Sequence, residues 1–126
     1  MIWTRNSPEW CFDEATLDRA AAAFANPDYV EVVLHSYRHR LGLAPGDPRY
    51  DHIEAQLAAQ PSIPVPAVTL DGLADGNFPA TDGSASAPHF TGPRVHHQVP
   101  HAGHDLPQEA PDAFVAAILE LATLRH

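Results

Sequence analysis

Apolar residues recur at helical spacing through residues 13–60, and the rhythm then changes. Leu17, Ala20, Ala21 and Phe24 share one face of a helix that Asp13 is placed to cap as a hydrogen-bond acceptor. Asn26-Pro27-Asp28 stops that helix and starts the next. Here Asn26 is the expected N-cap, Pro27 takes the first helical position and Asp28 complements the dipole. Val30, Val33, Leu34, Tyr37 and Leu41 form the second apolar stripe, which Gly42 is placed to end. Asp47-Pro48 repeats the start signal, with Tyr50, Ile53 and Leu57 as the stripe and Pro61 as terminator. The pattern predicts three short capped helices in series. Residues 1–12 hold Trp3, Trp10 and Phe12 among polar positions and have no clear period.

After Pro61 the pattern is that of strands. Residues 64–70 (PVPAVTL) are a short apolar run with prolines before it and Gly72 after it, which reads as a buried strand. Residues 76–92 are rich in Gly, Pro, Ser and Ala, with at most a weak helix over 80–90. Residues 94–99 are a second strand candidate. From about Pro111 a helix carries Phe114, Ile118, Leu121 and Leu124 on one face. Strand, crossover, strand and helix make the grammar of a parallel α/β sheet. Parallel sheets are buried on both faces and have more than two strands as a rule, so this element list does not close a fold. The expectation is the late part of something larger, marginally folded or self-associating when alone.

The composition narrows the function classes. The 126 residues hold sixteen acids against seven arginines and no lysine, a formal charge of −9. That balance lacks the basic footprint of a nucleic-acid or anionic-membrane binder, so neither partner is expected. Cys11 is the one cysteine, which excludes an internal disulfide. The first residues lack the basic-then-apolar order of a secretion signal. The longest apolar windows, 20–25 and 114–122, fall short of the roughly 20 residues that span a bilayer. A cytoplasmic location is the expectation.

In open α/β sheets ligands and reacting groups gather beyond the carboxyl ends of the strands. Asp71-Gly72-Leu73-Ala74-Asp75-Gly76 follows the first strand, and Pro100-His101-Ala102-Gly103-His104-Asp105 follows the second. An acid after one strand and a histidine after the next would let Asp75 accept the Nδ1 proton of His104 and leave Nε2 as a base. The competing reading makes Asp75 a turn residue before Gly76, and His104 one loop histidine among nine. His89, His96, His97, His101 and His104 raise the question of zinc. His96 and His97 point to opposite faces of a strand, Pro100 and Gly103 argue against a helical pair at His101 and His104, and no cysteine cluster supports a site. No metal and no cofactor are expected.

These two loops resemble those of the α/β-hydrolase superfamily. Gly72-Leu73-Ala74-Asp75 is similar to its Gly-x-x-Asp acid loop, and Ala102-Gly103-His104 to its Gly-His loop, in the same order. Pro107-Gln108-Glu109-Ala110-Pro111 resembles the start of the family's final helix. Upstream, Asn26-Pro27-Asp28-Tyr29-Val30 and His35-Ser36-Tyr37-Arg38-His39-Arg40 look like the helical cap that some members carry. The resemblance covers residues 13–124. It implies an incomplete α/β-hydrolase fold, with a cap segment over 1–60 and the C-terminal part of the core over 61–126. It also implies catalytic roles for Asp75 and His104. Tyr37 is a candidate substrate-binding residue at an entrance under the cap; the alternative packs it in the helix stripe.

The first sheet strands, the oxyanion-hole loop and the nucleophile turn of the family's pattern are missing. The nucleophile of such enzymes sits on a tight strand-to-helix turn. Gly83-Ser84-Ala85-Ser86 lacks the second glycine, Ser36 falls within a helix, Cys11 has no turn around it, and Thr69-Leu70 before Asp71 are not the small residues an elbow needs. The expected function is therefore the acid and histidine share of a hydrolase for a small ester, epoxide or related substrate. With its nucleophile, Ser or Asp, outside this sequence, the chain is expected to be inactive alone. Its expected partners are that small molecule and an N-terminal half or a second copy. The alternative function is a non-catalytic helical module that binds another chain through its apolar faces.

Overall fold

The structure is a computed structural model and describes residues 2–124. The elements are α1 (Ile2–Asn6), α2 (Glu14–Ala21), α3 (Tyr29–Arg40), α4 (Asp51–Ala58), β1 (Ala67–Gly72), β2 (Arg94–Val99), α5 (Leu106–Glu109) and α6 (Pro111–Thr123). They divide into two compact units, residues 11–60 and residues 1–10 with 61–126. The first ten residues belong with the strands, whereas the sequence reading grouped them with the helices.

The helical unit is built by local signals. The Asp13 carboxylate accepts the N–H of Thr16 at 2.8 Å and caps α2 as expected. Gly42 adopts φ +70°, and the N–H of Leu43 reaches back to the Arg38 carbonyl, which closes α3. The start of α3 differs from the expectation. Asn26 accepts the N–H of Asp28 at 3.0 Å in a local turn, and the helix begins at Tyr29 with Asp28 in the cap position. An asparagine side chain can satisfy a turn as readily as a helix start, so the same dipeptide fits both. After Asp47-Pro48 a 3₁₀ turn over Pro48–Tyr50 precedes α4. No described residue of 11–60 is buried.

The strand unit carries the core. β1 and β2 pair in parallel, with Ala67 opposite Arg94 and Gly72 opposite Val99. Mixed helices and a small parallel sheet give the chain its α/β character, as expected. β2 matches its expected span, while β1 begins three residues later than the apolar run, because Pro64 and Pro66 have no N–H for a ladder. The helical content of the crossover is a single 3₁₀ turn, Ala87–His89, within the limit of at most a weak helix over 80–90. Arg94 holds that segment down: its guanidinium donates to the Gly83 carbonyl, Ser86 Oγ and Thr69 Oγ1 at 2.9–3.0 Å. Val99, Ala102 and Leu106 form the buried cluster, with Leu70, Ala110 and Ala113 packed on it. This core lies directly beneath the carboxyl ends of both strands.

The short helix α1 was not legible in the sequence. Five residues cannot establish a period, and its geometry is set by contacts distant in sequence. Trp3 and Trp10 pack with ring centroids 5.1 Å apart. Ser7, just after α1, is 1% exposed. Its N–H returns to the Trp3 carbonyl at 2.7 Å.

Candidate active site

Two loops leave the strand ends side by side. In the first, the N–H of Leu73 donates to the Val99 carbonyl and that of Ala74 to the Ala102 carbonyl, both at 2.9 Å. The approach is so close that a Cβ on Gly72 would lie 2.4 Å from the Ala102 oxygen. Only glycine fits there, for lack of space. The pairing delivers Asp75 opposite the loop that carries His104.

Asp75 has both carboxylate oxygens engaged. Oδ1 accepts the N–H groups of Asn77 at 2.7 Å and Phe78 at 2.8 Å. Oδ2 lies 3.0 Å from His104 Nδ1. Burial pushes the Asp75 carboxyl up, but the Phe78 N–H, the His104 hydrogen bond and the Asn77 N–H together outweigh it and hold the group below its ordinary value. Asp75 is therefore ionised near neutral pH and can only accept, so Nδ1 of His104 carries the shared proton. When the ring is neutral, Nε2 is the unprotonated nitrogen. Among the described residues none hydrogen-bonds to it. The Asp75 side chain is 12% exposed and that of His104 35%, so the acid is sheltered while the ring opens to a space. Phe78 stacks on the imidazole with centroids 5.6 Å apart.

That space is a cleft of about 400 Å³, lined by Leu70, Asp71, Phe78, Pro79 and Leu106 besides Asp75 and His104. Asp71 does not present a free carboxylate on both sides: Oδ2 accepts the N–H and the Oγ1–H of Thr81 at 2.8 and 2.7 Å. Those hydrogen bonds draw its carboxyl below the ordinary range. A second cleft of about 340 Å³, between β1 and α6, is lined almost wholly by apolar side chains and offers no reacting group.

Of the sequence candidates, Asp75 and His104 meet. Tyr37 lies on α3 in the helical unit, 59% exposed, with the Arg40 guanidinium 6.0 Å from its ring centroid. Ser36 is within α3. Ser84 Oγ donates to Asp82, and Cys11 is exposed. His96 and His97 do face opposite ways: the first meets Thr69 and Thr81, the second Glu120. Among the described residues no group of three or more His, Cys, Asp or Glu side chains could hold a metal ion. None of their helices is long and apolar enough to cross a membrane.

Three groups around His104 escaped the sequence reading. Glu109 accepts the N–H of Gly103 at 2.7 Å and that of Asp105 at 2.9 Å. Ser7 Oγ accepts the N–H of His104 at 3.1 Å. The Asn6 carbonyl accepts from Gly76 at 2.9 Å and from His104 at 3.3 Å, and so touches both loops. Glu109 stands four residues after Asp105, one beyond the spacing of a capping box, so its role is not signalled in the sequence. Nothing in the sequence announces Ser7 or Asn6.

The chain is similar to a crystal structure of a "putative epoxide hydrolase" from Klebsiella pneumoniae, with 42% sequence identity and a TM-score of 0.90. The match covers 98% of this chain and 41% of the Klebsiella protein. The chain thus spans about two-fifths of that protein's length, and its fold is that of the matched part. No family model matches the chain. No curated protein matches it either.

Proposed function

We propose that this chain forms the cap segment and the C-terminal core of an α/β-hydrolase, and supplies the acid and histidine that cleave a small epoxide, ester or related substrate. The 3.0 Å contact between Asp75 Oδ2 and His104 Nδ1 at the carboxyl ends of two parallel strands carries this reading. The likeness to the Klebsiella protein supports it and favours an epoxide among the substrates. Asp75 fixes the ring and compensates the charge that develops on it. Nε2 takes a proton either from a serine nucleophile or from the water that hydrolyses an ester of an aspartate nucleophile. Leu70, Phe78, Pro79 and Leu106 give the reacting centre an apolar wall.

The nucleophile and the oxyanion donors belong to the part of the enzyme that this sequence does not contain. The chain by itself is inactive in this reading. The test joins it to the portion of the Klebsiella protein that it does not match, with an aryl epoxide and an activated ester as substrates. Turnover by the joined protein, absent from either part and lost by several orders of magnitude in His104→Ala and Asp75→Ala, is the expected result. Turnover by the 126-residue chain alone, abolished by His104→Ala, would overturn it.

One observation favours a second reading, a non-catalytic interaction module. Val30, Val32, Leu41, Leu43 and Leu57 of the helical unit are all at least 60% exposed. Light scattering separates the readings: a stable folded monomer with no turnover in the joined protein leaves only the module.

A further inference from the structure

The backbone of the histidine loop is held in an unusual way. Gly103, His104 and Asp105 present three successive N–H groups, and no strand or helix ladder takes them. Glu109 Oε2 accepts the first at 2.7 Å, Ser7 Oγ the second at 3.1 Å, and Glu109 Oε1 the third at 2.9 Å. The side chains come from opposite ends of the sequence. Ser7 is 1% exposed, and a Cβ on Gly103 would lie 2.7 Å from its Cα. The Asn6 carbonyl beside it also receives Gly76 of the acid loop, where a Cβ would lie 2.1 Å from the Arg5 oxygen. Glu9 extends the same segment to His101, whose Nδ1 is 2.7 Å from the Glu9 carboxylate.

We propose that Ser7 and Glu109 are positioning residues that clamp the backbone on both sides of His104 and thereby keep its protonated Nδ1 directed at the Asp75 carboxylate. The inference rests on the catalytic reading of that pair, but its physical content concerns the imidazole alone. An uncharged serine hydroxyl and a glutamate do different parts of the work. Glu109 fixes the neighbours, and its negative charge strengthens both hydrogen bonds. Ser7 Oγ takes the shorter share of the His104 N–H, which the Asn6 carbonyl also accepts at 3.3 Å, and ties the loop to residues 5–7, which also brace the acid loop. A loop free to shift by an ångström would lengthen the Nδ1···Oδ2 contact beyond hydrogen-bonding range, and the ring would then be free to carry its proton on Nε2.

Long-range proton–nitrogen NMR on the full chain reads the tautomer of His104 directly, at a pH where the ring is neutral. The wild-type chain should show the proton on Nδ1. Ser7→Ala and Glu109→Ala should lower the ratio of the Nδ1 to the Nε2 form about tenfold each, and Glu109→Gln, which keeps one acceptor oxygen, by less. Glu120→Ala, which removes an exposed carboxylate bound to His97, should leave His104 unchanged. Folded variants with an unaltered His104 tautomer would overturn the proposal. So would loss of the dispersed β1 and β2 amide signals in both Ser7→Ala and Glu109→Gln, because the two side chains would then be supports of the sheet at large. A joined enzyme without turnover, together with the expected tautomer shifts, would fail the catalytic reading and leave the clamp standing.

Discussion

The helical unit and the strand unit start from equally regular apolar patterns, and only the second buries its share. In residues 11–60 the stripes of three helices are present, yet every described residue remains half-buried or exposed. What holds that unit is local: the Asp13 cap, the Gly42 stop and the Asp47 turn. The strand unit places Val99, Ala102 and Leu106 inside, and draws hydrogen bonds from residues as far apart as Ser7 and His104. Periodicity specifies which face should be covered. It does not supply the cover, and local caps alone give marginal stability.

The sharpest way to break this contrast is one truncation made in both units. Leu106→Ala, at a position 8% exposed, should lower the urea stability of the strand unit by about 2–5 kcal/mol. Leu57→Ala, at a position 60% exposed, should change stability by no more than about 0.5 kcal/mol. Equal losses would mean that the helical unit has a core of its own in solution. Next in size is Gly72→Ala, whose new Cβ meets the Ala102 oxygen. About 1–3 kcal/mol of destabilisation is expected by denaturant titration, along with loss of the His104–Asp75 contact in NMR spectra. Asp13→Ala tests the other side of the comparison. Removal of its cap should lower the helicity over α2 by circular dichroism and leave the strand amides unmoved.

The smallest effect is a dependence on pH. Because Asp75 titrates below its ordinary value in the folded chain, its contribution is complete above the ordinary carboxylate range and is lost as pH falls through and below it. The protection of the Asn77 and Phe78 amides against hydrogen exchange, taken relative to their intrinsic rates, should therefore fall on acidification. Asp75→Asn should remove that extra dependence. An unchanged profile in the variant would detach the acid loop from Asp75.

Much of the site was legible because strand ends are marked. Gly72 and Gly103 flank the two loops, and an acid and a histidine at matched positions beyond parallel strands have little freedom to miss each other. The start of α3 was less legible, since Asn26 serves a turn as well as a cap. The crossover keeps only a short 3₁₀ turn for a related reason: its alanines suit a helix, but Arg94 offers its carbonyl and hydroxyl groups better partners. Tyr37 belongs to the apolar stripe of α3, a face that the sequence marks for burial and that the structure leaves 59% exposed.

By itself the sequence determined the cap of α2 and the stop of α3, the parallel grammar of the second half, the acidic balance and the two residues that meet at the strand ends. Those properties are local, or depend on a repeat that a few neighbouring residues express. The tertiary structure alone decided that residues 1–10 join the strands, that Ser7 and Glu109 hold the histidine loop, and that the helical stripes stay uncovered. Each of these depends on groups brought together from distant parts of the chain, whose mutual distance no local pattern encodes.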